Sequence, residues 1–317
     1  MADIPAEFVE FDPADIERRE RVERAKNDFD FFCRTYLGHH FTDTPAPYHR
    51  ILMDIFNTWT VTVEQVERLK EFVKPAYWKT LEPVIKDEGE RRQDDHEHRR
   101  SLQGILDIEP REHGKTTRIQ ALVLWFALYQ KAWYIMIIGA SLEMAKSSLA
   151  TIREELEENT YIMEDFGETW GDKKWSDEGL MSANGVLIEA KGRDRKFRGA
   201  KRGAHRPDLI IIDDLLTEQD AYSATIRGKI YTKLKQTVFD PGQAARYIVI
   251  NTIFHHDDPV LRLFAEIESK HSINHVWRLL QVTANMYIFF QKDISAVSCM
   301  LHERFVVTHT RKEFIFH

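Results

Sequence analysis

Ile105-Leu106-Asp107-Ile108-Glu109-Pro110-Arg111-Glu112-His113-Gly114-Lys115-Thr116-Thr117 joins an apolar, strand-like run to a tight Gly-Lys-Thr turn, and a helical pattern leaves it from Arg118 to Gln130. Strand, glycine turn and helix in that order build a nucleoside-triphosphate phosphate loop. N–H groups at the helix start cradle phosphates, Lys115 supplies a point charge, and the Thr116 hydroxyl is placed to ligate Mg²⁺. Glu109 stands where the pattern Gly-x-x-x-x-Gly-Lys-Ser/Thr has its first glycine, so the match is incomplete. On this stretch alone, a surface turn remains the alternative.

Downstream, Asp208-Leu209-Ile210-Ile211-Ile212-Asp213-Asp214 is a continuous aliphatic run of the kind buried on both faces of a parallel sheet. Its two terminal carboxylates fall at the strand's C-terminal end, where open α/β sheets place their ligands. Asp213 has the position of a Mg²⁺-holding aspartate and Asp214 that of the group polarising an attacking water. An ordinary core strand followed by helix-capping aspartates is the plainer interpretation. The phosphate loop upstream favours ATP binding and hydrolysis.

Between the two motifs, Lys191-Gly192-Arg193-Asp194-Arg195-Lys196-Phe197-Arg198-Gly199-Ala200-Lys201-Arg202-Gly203-Ala204-His205-Arg206 is the densest positive charge in the chain. A solvated loop, contact with nucleic-acid phosphates and an arginine finger all fit it. Its run into the carboxylate strand favours a finger, with Arg202 or Arg198 the candidates. Later, Tyr247-Ile248-Val249-Ile250-Asn251-Thr252 reads as another buried strand, and Asn251 and Thr252 have uncharged donors and acceptors suited to sensing a γ-phosphate. His255-His256-Asp257-Asp258-Pro259 follows. Neighbouring residues on an extended chain point to opposite faces, which makes a poor metal shell, so a helix start capped by Asp257 or Asp258 is expected there.

The chain has 317 residues, 43% of them hydrophobic and 30% charged, which is ordinary globular usage and argues against bulk disorder. A formal net charge of -7 argues against a protein coating nucleic acid over its whole surface. Cys33 and Cys299 give no disulfide framework. No apolar run is long enough for a membrane span and no signal peptide is seen, so a soluble intracellular protein is expected.

Helical periodicity covers residues 15–37 and 47–58, with a Pro-rich breaker at 43–47, and a charged helical arm is expected over 62–100. Strands are expected near 104–109, 132–139, 208–213 and 246–252, and helices near 115–130, 141–158 and 221–236. A hairpin over Leu180–Glu189 is expected to turn at Asn184-Gly185 in a type I′ turn. Alternating strands and helices imply a three-layer α/β fold with a mainly parallel sheet, preceded by an N-terminal helical region. The expected division is 1–103 helical region and arm, 104–275 core, and 276–317 linker-like segment.

Taken together, Pro110 to Thr117, Phe197-Arg198-Gly199, Arg206 to Asp214, and Asn251-Thr252 with His255 to Pro259 resemble the large terminase subunit of tailed bacteriophages. Order and spacing are similar across roughly residues 28–265. The resemblance implies a P-loop NTPase domain of the additional-strand (ASCE) type that drives double-stranded DNA into a capsid. It implies ATP and Mg²⁺, a homo-oligomeric ring at the portal protein, a small terminase subunit as partner, and the cytoplasm of a bacterial host. Position by position, Arg111, Glu112, His113, Gly114, Lys115, Thr116 and Thr117 carry the phosphate loop, with Arg111 its additional arginine. Asp213 carries the Mg²⁺, Asp214 stands in for the usual catalytic glutamate with Glu218 as fallback, and Asn251 and Thr252 carry coupling. His49 falls in the adenine-contacting segment. The family's nuclease domain has no counterpart before His317, so nuclease activity is not expected. A helicase-like ATPase, or an inactive prophage remnant that binds DNA or the small subunit, are the alternatives.

Overall fold

The computed structural model describes residues 12–72, 104–195, 206–238, 245–263 and 279–283, with only the backbone path for 171–175, 237–238 and 279–283. Among the described residues four helices come first: α1 Pro13–Asn27, α2 Phe29–Tyr36, α3 Pro47–Thr58 and α4 Val63–Lys70. Local chemistry sets their starts. Asp12 and Asp28 cap α1 and α2 with their carboxylates, and Thr62 and Gln65 form a reciprocal capping box on α4. Pro47 opens α3, where its missing N–H costs nothing. The rest of the charged arm expected over 62–100 lies outside the described residues.

The core follows as β1 Gly104–Ile108, α5 Lys115–Leu128, β2 Tyr134–Gly139, α6 Leu142–Glu158, α7 Thr160–Phe166, β3 Trp170–Ser176, β4 Gly179–Ser182 and β5 Leu187–Gly192. It continues with β6 Leu209–Asp213, α8 Glu218–Ala221, α9 Ala224–Val238, β7 Arg246–Asn251 and β8 Leu279–Thr283. The strands form one sheet in the order β3-β4-β5-β2-β6-β7-β1-β8. Every pair from β5 to β8 is parallel, and β3-β4-β5 is an antiparallel edge. The fold is therefore mixed α/β with a mostly parallel sheet, as the alternation of periodicities implies. Two edge strands, β3 and β8, lie in stretches where periodicity gave no element. The helix expected over 221–236 is divided, with short α8 preceding α9.

Alternation along the strands sorts the core into two clusters. Ile105, Ile135, Ile137, Leu209, Ile211, Ile248 and Ile250 face α5, α6 and the N-terminal helices. Leu106, Met136, Ile138, Ile210, Ile212, Tyr247 and Val249 face the other way, toward Ile230 and Leu234 of α9 and toward Val260 and Leu263. The N-terminal helices share the first core. The Phe29 ring packs at a tilt 5.0 Å from the Trp125 ring, and Trp125 Nε1 donates to the Ala25 carbonyl at 2.8 Å. Truncating a fully buried Trp of this kind costs about 3–5 kcal/mol.

The β4–β5 hairpin forms as expected, but not with a type I′ turn. Gly185 has φ +90° while Asn184 is not left-handed, and Gly185 N–H donates to the Ser182 carbonyl at 2.8 Å. That geometry is a four-residue turn with glycine in its last place, the place a type I turn favours for it. Asn184 is held elsewhere, donating its amide to the Ala127 carbonyl at 2.8 Å and so fixing the hairpin to the end of α5.

Candidate nucleotide site

At the end of β1 the ladder continues one residue, with Glu109 N–H donating to the Asn251 carbonyl at 3.3 Å, before the chain turns. Glu112 and Gly114 both adopt left-handed backbone, at φ +67° and +71°. Glycine tolerates this freely; at Glu112 the conformation costs about 1–2 kcal/mol. α5 then starts at Lys115 with no side chain capping its first N–H groups. Those orphan donors and the positive end of the helix dipole form an anion-binding corner. Lys115 is buried and folded back on its own loop, its Nζ donating to the Glu109 carbonyl at 3.1 Å and the Pro110 carbonyl at 2.6 Å. Burial lowers its pKa, opposed by the charges of Asp214 and Glu109.

The carboxylates of β6 arrive beside this corner. β7 lies between β1 and β6, pairing Ile108 with Asn251 and Asp213 with Ile250, so all three strand ends share one edge. Burial, and then the charge of Asp214, push the Asp213 pKa up to about 7, opposed by the Lys115 charge and by the neighbouring Thr116 hydroxyl. Thr116 and Asp213 are thus neighbouring oxygen donors, both hard. Asp214 has φ +39°, and its Oδ1 accepts from the Thr252 N–H at 2.7 Å. Burial raises its pKa also, opposed by Lys115. Asn251 is fully buried and directs its Nδ2 to Asp258 Oδ1 at 3.3 Å.

Beneath the loop lies a charged cluster that residue spacing did not reveal. Arg118 Nη2, 2% exposed, bridges Asp107 Oδ2 and Glu109 Oε1, each at 2.7 Å. Glu109 is therefore not a defect of the loop but an anchor for it, tied through Arg118 to β1 and α5. Burial, then the charge of Glu109, pushes the Asp107 pKa up to about 7. His49 sits in this layer, its Nε2 3.3 Å from Glu109 Oε2, and burial lowers its pKa to about 3, so it is neutral. Neighbouring Tyr48 OH bonds His113 Nδ1 at 2.9 Å. His49 and His113 thus brace the loop from below.

Arg111 lies on the rim. Its guanidinium stacks 4.7 Å over Phe254 and pairs with Glu218 Oε2 at 3.5 Å, both partners half-exposed. Glu218 is paired there, at the start of α8. Thr117 follows Thr116 in the first turn of α5, and it is half-buried. Arg198 and Arg202 lie outside the described residues. Of the basic segment, Arg193 is described: its Nη1 donates to the Leu215 carbonyl at 2.6 Å and to Asp220 at 2.5 Å, tying the end of β5 to α8.

The polar run after β7 divides. Asp257 takes Arg227 and Arg262. Asp258 turns inward and caps helical residues 259–263, accepting from the Val260 N–H at 2.8 Å. The expected helix start is present, and these four residues do not converge on a metal. Sequence reasoning missed Arg118, Asp107 and the second role of Asp258 as Asn251's partner. An aspartate inside an apolar strand and an arginine one turn after Gly-Lys-Thr were the available signals.

No protein-family model matches the chain, and no curated protein matches it. Among solved structures it is similar to the HK97 bacteriophage large terminase, at 14% identity and TM-score 0.43, covering 76% of this chain and 52% of that one. It is also similar to the Phi-28 gp11 DNA packaging motor, at 10% identity and TM-score 0.35, covering 72% and 70%. The Thermus phage P74-26 large terminase ATPase domain is similar at 14% identity and TM-score 0.37, covering 71% and 93%. The chain spans about half the length of the HK97 protein. At these identities and TM-scores, the chemistry rests on this chain's own residues.

Proposed function

We propose that the chain is the ATP-hydrolysing motor part of a phage large terminase, built on a P-loop core of the additional-strand type. One observation carries this: Lys115, Thr116, Asp213, Asp214 and the Asn251-Thr252 pair meet at the C-terminal edge of three neighbouring parallel strands. The strand order supports the additional-strand assignment, because β7 separates the loop strand β1 from the carboxylate strand β6.

In this proposal the triphosphate lies against the uncapped start of α5. Lys115 exchanges its two loop carbonyls for phosphate oxygens. The oxygen pair of Thr116 and Asp213 fits Mg²⁺, which when bound neutralises charge between the outer phosphates. Asp214, oriented by the Thr252 N–H, positions the attacking water and takes its proton. Asn251 and Thr252 register the γ-phosphate and couple its loss to movement of duplex DNA. Arg111 steadies the rim, and Arg198 or Arg202 reaches a neighbouring subunit's site in a homo-oligomeric ring. A portal protein, a small terminase subunit and the host cytoplasm complete the setting.

Phosphate release with and without duplex DNA tests this. A motor subunit turns over ATP faster with duplex present; turnover indifferent to duplex DNA would remove the packaging assignment.

A further inference from the structure

Well away from the nucleotide corner, the backbone turn after α2 presents two adjacent histidines to one carboxylate. His39 Nε2 lies 2.7 Å and His40 Nε2 2.8 Å from the same atom, Glu155 Oε1 on α6. The histidines are more than a hundred residues from Glu155 in sequence, so the fold creates this convergence. A hydrogen-bonded turn sets it up, with His40 N–H donating to the Leu37 carbonyl at 2.8 Å and Phe41 N–H to the same carbonyl at 3.1 Å. Adjacent histidines diverge on an extended chain but not on this turn, where their rings lie 4.2 Å apart.

We propose that His39, His40 and Glu155 bind a divalent transition-metal ion of the zinc type, clamping the turn after α2 to α6. Two neutral imidazole nitrogens and one carboxylate oxygen are the donor set such an ion takes, with water in the remaining position. The two histidine side chains are 54% and 35% exposed, so ion and water can reach them, while the Glu155 side chain is 7% exposed and held rigid. Its second oxygen is already oriented. Asn159 Nδ2 donates to Glu155 Oε2 at 2.6 Å and to the Tyr36 carbonyl at 2.7 Å, the outer hydrogen bond that metal-bound carboxylates use. Metal–ligand bonds of about 2.0–2.2 Å in a tetrahedron separate ligand atoms by roughly 3.3 Å. The present spacings need only open by about half an ångström, well within the freedom of exposed imidazoles.

A second trio, His49, Glu109 and His113, has the same composition and makes the contrast. There the carboxylate is already neutralised by Arg118 at 2.7 Å, and the Lys115 ammonium lies against the Glu109 carbonyl. A dication entering that trio meets two fixed positive charges. Among the described residues, Glu155 has only the two histidines as ion-pair partners.

The test is zinc titration of untagged protein by calorimetry, with cobalt absorption as a second probe. Saturable one-to-one binding and a visible tetrahedral cobalt band are expected, together with a rise in thermal midpoint. His39→Ala, His40→Ala and Glu155→Gln should each weaken binding at least about tenfold, whereas His113→Ala should leave it unchanged. The exposed histidines make the first two variants safe for folding, with circular dichroism as the check. No saturable binding by the wild type, binding that survives His39→Ala/His40→Ala, or loss on His113→Ala instead would each overturn the proposal. None of these readouts depends on ATP turnover.

Discussion

The carboxylate of Asp214 accepts a hydrogen bond from the Thr252 N–H at 2.7 Å, so the turn after β6 is fastened to the end of β7 at the site's centre. Asp214 holds left-handed backbone to do this, at φ +39°. Asparagine tolerates that backbone and can accept the same bond through its amide oxygen, but it cannot take a proton from water. Asp214→Asn should therefore keep the fold and nucleotide binding while turnover falls by about 10²–10⁴-fold. Steady-state phosphate release beside a fluorescent-nucleotide titration checks this. Near-normal turnover would remove Asp214 from the chemistry.

Arg118 answers two buried carboxylates at once, Asp107 and Glu109. Removing the cation leaves uncompensated negative charge in the interior, which costs about 3–5 kcal/mol. Arg118→Met should lower the urea midpoint accordingly, and adding Asp107→Asn should recover part of the loss. An unchanged midpoint in the single variant would mean that the cluster does not anchor the loop.

Asp258 supplies a pH dependence of definite sign. Burial pushes its pKa from 3.8 up to about 7, against hydrogen bonds from the Val260 N–H and from Asn251, and with the charge of Asp214 adding to the rise. The folded state thus binds more protons than the unfolded chain between those values, and this group's contribution makes stability fall as pH rises through that window. Asp258→Asn should flatten the thermal-midpoint profile from pH 5 to 8 and be more stable than wild type at pH 8. A steeper profile in the variant would contradict the protonated, buried carboxyl.

What the sequence carried plainly was whatever is local. The aliphatic runs Leu209–Ile212 and Tyr247–Ile250, the Gly-Lys-Thr turn and the helix after it each declare themselves within a few residues, and their order implies the parallel sheet. Contacts between distant segments were not legible. Glu109 looked like a flaw because its partner Arg118 is visible only once α5 folds back beside β1. Nothing local shows that His49 reaches Glu109, sixty residues away in sequence. His39 and His40 carried no signal at all, since Glu155 reaches them only through the packing of α6. The type I′ expectation failed for a related reason: the interactions of Asn184 with Ala127 and Gln130 fix its conformation, not the Asn-Gly dipeptide alone.

The central claim is that the corner formed by Lys115, Thr116 and Asp213 holds the triphosphate and leads to its hydrolysis. Lys115 is the residue to remove, because its Nζ now rests on its own loop carbonyls and, among the described residues, no buried carboxylate has it as a hydrogen-bonded partner. The most direct measurement is Mg·ATP-dependent phosphate release by wild-type protein and by Lys115→Ala, with circular dichroism on both. Turnover by the wild type is expected, with loss of it in a variant that remains folded. Equal turnover by the two proteins would contradict it.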